Sequence, residues 1–208
     1  MGRRSTRPDV RIQASQAFDR GSVRIKSCAV EVALVFFLTL LIVPAMTASA
    51  APLGPDASPN RQYRLRFFHT HTGEKLDVVY KEGDSYVPEA LAELDDFLRD
   101  YRTGEVRHYD PRLFDLLYQL LDAAGRPEAW INVVCGYRNL HTNSYLRSHG
   151  HGVAKHSLHM QAMAIDIRLP GTSTAKLRDL AVALQEGGVG YYAGSDFIHV
   201  DVGRVRRW

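Results

Sequence analysis

Apolar and polar residues along the 208-residue chain change their period several times, and each change marks an element. In RLRFFHTHTGEKLDVVY (64–80), alternating apolar positions flank His71-Thr72-Gly73, the pattern of two strands joined by a turn that contains glycine. Pro88 then opens EALAELDDFLRDY, where Leu91, Leu94 and Leu98 recur at helical spacing. Asp110-Pro111 reads as an N-cap followed by proline at the first helical position, RLFDLLYQLLDAA as the helix, and Gly125 as its stop. AWINVVCGYR predicts a strand ending at a glycine turn, NLHTNSYLR a short helix, and SHGHGVAKHS a loop loosened by Gly150 and Gly152.

Beyond that loop, Met160, Ala162, Ala164 and Asp166 alternate with Gln161, Met163, Ile165 and Ile167, which predicts a strand over 160–167. Thr172-Ser173 caps TAKLRDLAVALQEGG, and VGYY and FIHVDVG are two short strands separated by Ala193-Gly194-Ser195. Together these elements predict one α+β domain with helices packed outside a small, mainly antiparallel sheet. No internal repeat and no second domain is visible.

The first fifty residues differ from this pattern. Seven Lys and Arg precede or border VEVALVFFLTLLIVPAM, and Ala48-Ser49-Ala50 follows it, the basic, apolar and small-residue parts of a signal peptide. Removing residues 1–50 as signal peptide leaves a linker over 51–61 and a domain over 62–208, with no membrane span after cleavage. It also moves the charge: residues 1–50 hold seven Lys and Arg and three Asp and Glu of the chain's 26 and 23, so 51–208 hold 19 and 20, a net of −1. The basic balance belongs to the leader, which argues against nucleic acid as a partner. Cys28 leaves with the leader, and Cys135, in an apolar β-rich run, reads as a small core side chain. All nine histidines lie in the exported part.

Candidate chemistry collects in KHSLHMQAMAIDIRL (155–169). Asp166 in an apolar strand is unfavourable unless it is paired or bound to a cation. His159 is seven residues away, so on one strand the two would face opposite ways, and they share a site only if His159 sits in the loop before the strand. Ser157 can hold that loop by bonding to the backbone. His199 in FIHVDVG supplies a third ligand. Two imidazoles and a carboxylate with one open position form the ligand set of a catalytic zinc site. His149, His151 and His156 lie in the glycine-rich loop beside it.

These residues resemble a known family. SLHMQAMAID is similar to the SxHxxGxAxD motif of the zinc D,D-carboxypeptidase and murein endopeptidase superfamily, and GGVGYYAGSDFIHVDVGRVRRW resembles its murein endopeptidase K branch. CGYR and FHTHTGE extend the resemblance over roughly 62–208. It implies a Hedgehog/D,D-peptidase-like fold, one zinc ion on His159, Asp166 and His199, and Arg138 as the group that binds a substrate carboxylate or the developing oxyanion. It also implies an acidic general base: Asp196, three residues before His199, is the first choice and Asp201, which could instead orient a ligand, the competitor. Ala162 replaces the motif's glycine, a change the predicted strand tolerates. The implied function is a periplasmic zinc metallopeptidase cutting peptidoglycan cross-links. The alternatives are a D,D-carboxypeptidase trimming stem peptides and a non-catalytic wall-binding module.

Overall fold

The structure is a computed structural model and describes residues 61–150 and 153–208. The signal peptide expected over 1–50, nearly all of the linker over 51–61, and His151 lie outside the described residues.

Strands β1 (Gln62–His69) and β2 (Lys75–Glu82) form the expected hairpin, with Gly73 at φ 76° in its turn. A two-residue β3 (Ser85–Tyr86) pairs with β2. Helix α1 (Pro88–Phe97) starts at its proline. Helix α2 (Arg112–Ala123) follows Pro111, which already has helical angles, and the Asp110 carboxylate accepts from the Arg112 amide at 3.1 Å. After β4 (Trp130–Cys135) come α3 (Leu140–His149), β5 (Ala164–Arg168), α4 (Thr174–Leu184), β6 (Gly188–Tyr192), β7 (Phe197–Asp201) and β8 (Arg206–Arg207). Ser173 caps α4 by accepting from the Lys176 amide.

The strands make one sheet in the order β3-β2-β1-β4-β5-β7-β6-β8. This sheet is mixed, not mainly antiparallel as the patterning predicts: β1 runs parallel to β4, and β6 to β8. The cause is connectivity. The chain leaves β1 through the hairpin and two helices before returning beside it as β4, and a connection of that length allows a strand to return in the same direction, which a tight hairpin does not. Period alone cannot show which strands such a connection makes neighbours.

Leu65 and Phe67 of β1, Ile131 and Val133 of β4, Ile165 and Ile167 of β5, and Ile198 and Val200 of β7 are buried with Leu113, Phe114 and Leu117 of α2 and Leu177 and Ala181 of α4. Because side chains alternate along a strand, Asp166 and His199 lie on the opposite face from these residues. There they are direct cross-strand partners. The alternation that builds the core thus turns a carboxylate and an imidazole together toward a surface the helices do not fill.

The predicted strand over 160–167 is corrected. Residues Leu158–Gln161 form a 3-10 turn and the strand begins at Ala164. Between them Ala162 is fully buried and left-handed, at φ 52° and ψ 41°. Its amide and carbonyl are both engaged, with His159 O and with the Asp110 amide. The motif's glycine is therefore a backbone requirement of this bend, not a strand residue that alanine replaces freely. An L-residue there carries a strain of about 1–2 kcal/mol, partly offset by the lower unfolded-state freedom of alanine. Ala162→Gly is expected to raise stability by roughly 0.5–1 kcal/mol, read as a higher midpoint in denaturant unfolding at unchanged slope.

Candidate metal centre

His159 reaches the sheet from the 3-10 turn, the loop exit that its spacing from Asp166 requires. Ser157 caps that turn, its hydroxyl accepting from the His159 amide at 3.3 Å, and the His159 carbonyl accepts from the Arg138 amide. The turn, the end of β4 and the middle of the sheet are thereby tied into one frame.

Three atoms converge in it. His159 Nε2 lies 3.2 Å from Asp166 Oδ1 and 3.0 Å from His199 Nδ1, and His199 Nδ1 lies 2.9 Å from Asp166 Oδ1. All three residues are buried. The outer nitrogens decide what the inner ones carry. His159 Nδ1 is 2.8 Å from the Gly136 carbonyl and His199 Nε2 is 2.9 Å from Asp201 Oδ2, and these oxygens only accept. Both outer nitrogens therefore donate, so in the neutral rings both inner nitrogens present lone pairs, facing a carboxylate oxygen. Three mutually facing acceptors repel unless a cation lies among them.

A tetrahedral zinc with bonds of about 2.0–2.1 Å needs its ligand atoms roughly 3.3 Å apart. The observed edges are a few tenths of an ångström shorter, and the donor set of two imidazoles and one carboxylate suits zinc. The residues therefore fit the ion that the sequence motif implies. The electrostatics agree: burial opposes charge on Asp166, yet the two imidazoles hold its carboxyl well below the usual carboxylate range. Burial pushes the His159 imidazole down, toward the neutral form a metal requires. Burial also opposes charge on His199, but bonds to Asp166 and Asp201 outweigh it and raise the ring, so protons compete with metal there.

A cavity of about 280 Å³ opens over these ligands, with Arg138, Ser157, Tyr192, Phe197 and Trp208 in its walls. Arg138 donates through one terminal nitrogen to the Ser157 hydroxyl at 3.1 Å, while its Nε has no hydrogen-bond partner among the described residues. His156 also lines the cavity, whereas His149 bonds locally within α3.

The two acidic residues considered as base are placed very differently. Asp201 is fully buried and saturated: besides His199 it accepts from both terminal nitrogens of Arg206 and from the amides of Gly188 and Gly203. Burial opposes its charge, but His199 and Arg206 hold its carboxyl well below the usual range. Asp196 is exposed at φ 52°, its carboxylate bonded to the Thr174 hydroxyl and its carbonyl to Arg168. It does not line the cavity, although Ser195 and Phe197 on either side of it do.

With this geometry established, comparison with known proteins decides the family. The family described as peptidoglycan L,D-endopeptidase MepK matches residues 57–208. This chain belongs to that family. The peptidoglycan L,D-endopeptidase MepK of Escherichia coli strain K12 is 40% identical over 173 residues, covering 81% of this chain and 94% of the relative. The probable peptidoglycan L,D-endopeptidase MepK of Haemophilus influenzae is 42% identical over 144 residues, covering 69% and 77%.

In this MepK family member three contributions escape the sequence patterning. Arg206 clamps Asp201, and the pair is joined only because Gly203 and its neighbours turn the chain back. Trp208 stands beside His199, their rings 5.2 Å apart. Cys135 reads from sequence as core, but the register shift between Val133 and Cys135 places it opposite Asp166, and its sulfur and the ligand atoms of His159 and Asp166 all lie within 4.8 Å of one another. Burial pushes that thiol up to about 12.

Two outcomes follow for the metal centre. Asp201→Asn leaves the three ligands in place but weakens the acceptor that orients His199, so zinc affinity by competition titration is expected to fall roughly 10–100-fold. The depressed carboxyl of Asp201 contributes stability above its unfolded value of about 3.9, and that contribution is lost as pH falls below it. The metal-free Asp201→Asn protein is accordingly expected to be less stable at pH 7 and to lose less stability on acidification than the metal-free parent, measured by thermal unfolding against pH.

Proposed function

We propose that this chain is an exported, zinc-dependent endopeptidase that hydrolyses L,D peptide cross-links of peptidoglycan in the periplasm. The observation that carries this reading is the convergence of two imidazole lone pairs and a carboxylate at the floor of a cavity whose wall holds an arginine. The match to L,D-endopeptidases over most of the chain supplies the substrate class. Among the described residues no helix is long and apolar enough to cross a membrane.

Zinc held by His159, Asp166 and His199 supplies Lewis acidity toward the scissile carbonyl and a water acidified to near neutral pH. The protein's own residues do the rest. Gly136 O and Asp201 keep the outer protons on the two imidazoles, so the inner nitrogens stay free to ligate. Ser157 holds one arm of the Arg138 fork, and the remaining donors meet a substrate carboxylate or the carbonyl oxygen as it gains charge. Asp201, with its oxygens saturated, acts by orienting His199. Asp196 takes the proton from water and returns it to the leaving amine once its side chain turns from Thr174 into the cavity between Ser195 and Phe197.

Incubating the zinc-loaded full chain with muropeptide dimers carrying L,D or D,D cross-links, with mass spectrometry of products, tests the reading. The L,D dimers are expected to become monomers, and a chelator to stop this. Trimming of monomer ends would indicate a carboxypeptidase, and binding without products a wall-binding module. Asp196→Ala is expected to lower kcat about 100-fold or more at unchanged zinc content; a loss below about threefold would take the base role from Asp196.

A further inference from the structure

Trp208 is an exposed aromatic residue that is nonetheless held rigidly. Its amide donates to Val189 O at 3.2 Å and its carbonyl accepts from the Tyr191 amide at 3.0 Å, so its backbone continues the β6–β8 pairing. Its indole Nε1 donates to the Tyr192 hydroxyl at 3.0 Å, and the Arg206 guanidinium lies 4.9 Å from its ring. The indole lies against Gly190: a Cβ added there would come within 2.7 Å of it. Yet the side chain is not in the core, being 51% exposed, and it lines the cavity over the metal ligands.

The neighbouring rings extend this surface. Tyr192 stacks on Phe197, with centroids 4.6 Å apart and planes 19° from parallel, and both line the same cavity. Arg138 and Ser157 line the same cavity, as does Arg206, whose guanidinium is bonded to Asp201. Fixed rings and a cationic donor lining one cavity suit a ligand with a hydrocarbon stretch and a carboxylate. Burying an aliphatic stem on an indole gains the apolar area of both, and a ring already fixed loses little freedom on binding.

We propose that Trp208 determines specificity in the site: its indole, continued by Tyr192 and Phe197, is the platform for the aliphatic stem of a carboxylate-bearing residue at the cleaved cross-link, whose carboxylate meets Arg138. This rests on the endopeptidase reading above for the identity of the substrate. The alternative is that the indole only shields His199 from water. The two differ in what they move, since a platform acts on substrate affinity and a shield acts on the metal.

The experiment uses the zinc-loaded full chain bearing Trp130→Phe, which leaves Trp208 as the single tryptophan; Trp130 is on β4 and does not line the cavity that holds Trp208. Titration with L,D-cross-linked muropeptide dimers is expected to change Trp208 emission saturably before products form. In the otherwise unaltered chain Trp208→Ala is expected to raise KM roughly tenfold, corresponding to ~1.4 kcal/mol, at unchanged kcat and zinc affinity, and Trp208→Phe to restore much of the loss. Thermal unfolding shows whether each variant is folded. Silent emission, or a Trp208→Ala effect confined to kcat and zinc affinity, overturns the proposal. If the parent cleaves no dimer, the endopeptidase reading fails by itself, and the emission titration still decides whether Trp208 meets the muropeptide.

Discussion

Three lone pairs pointed at one another at the buried floor of a cavity are the constraint on which the rest of the structure turns. His159 Nε2, His199 Nδ1 and Asp166 Oδ1 stand no more than 3.2 Å apart, and their outer partners leave the two neutral rings no inner proton to share. Such a cluster is unfavourable by itself and favourable around a cation, so in the proposed reading metal binding and the local fold are one equilibrium. Every neighbouring feature serves to hold the three atoms where they would otherwise separate: the capped 3-10 turn, the Gly136 carbonyl, and Asp201 with its arginine.

The surroundings divide into parts that aim and parts that receive. Asp201 is the clearest aiming group, since four donors besides His199 saturate its two oxygens and nothing is left with which to accept a proton from water. In the proposed reading Arg138 is a receiving group; it is tethered by Ser157 through one terminal nitrogen, and its buried Nε has no partner among the described residues. Ser157 serves both purposes, capping the turn that carries His159 and positioning the arginine across from it. A single hydroxyl therefore ties the placement of His159 to that of Arg138.

Much of the fold was legible because its elements obey simple periods. The hairpin at Gly73, the proline-started α1, and the α4 cap at Ser173 all depend on contacts within a few residues, and sequence shows these directly. The bend at Ala162 was not legible: an alternating run ordinarily continues as a strand, and only the bonds from Ala162 to His159 and Asp110 show that the chain turns left-handed there. The direction of β4 beside β1 was hidden for a similar reason, since two helices and a hairpin intervene.

For the site, the residue types and the spacing from His159 to Asp166 by themselves determined that a buried carboxylate must be paired or bound to a cation, and that the two residues share a site only if His159 comes from outside the strand. Those conclusions depend on chemistry and on side-chain alternation, both of which are local properties. Only the tertiary structure decided which outer atom faces each imidazole, that Asp201 is spent on His199 and Arg206 while Asp196 is held by Thr174, and that Trp208 returns to stand beside the ligands. These depend on strand register and on how the chain doubles back after β7, where residues far apart in sequence become neighbours and a shift of one position would turn every side chain to the other face.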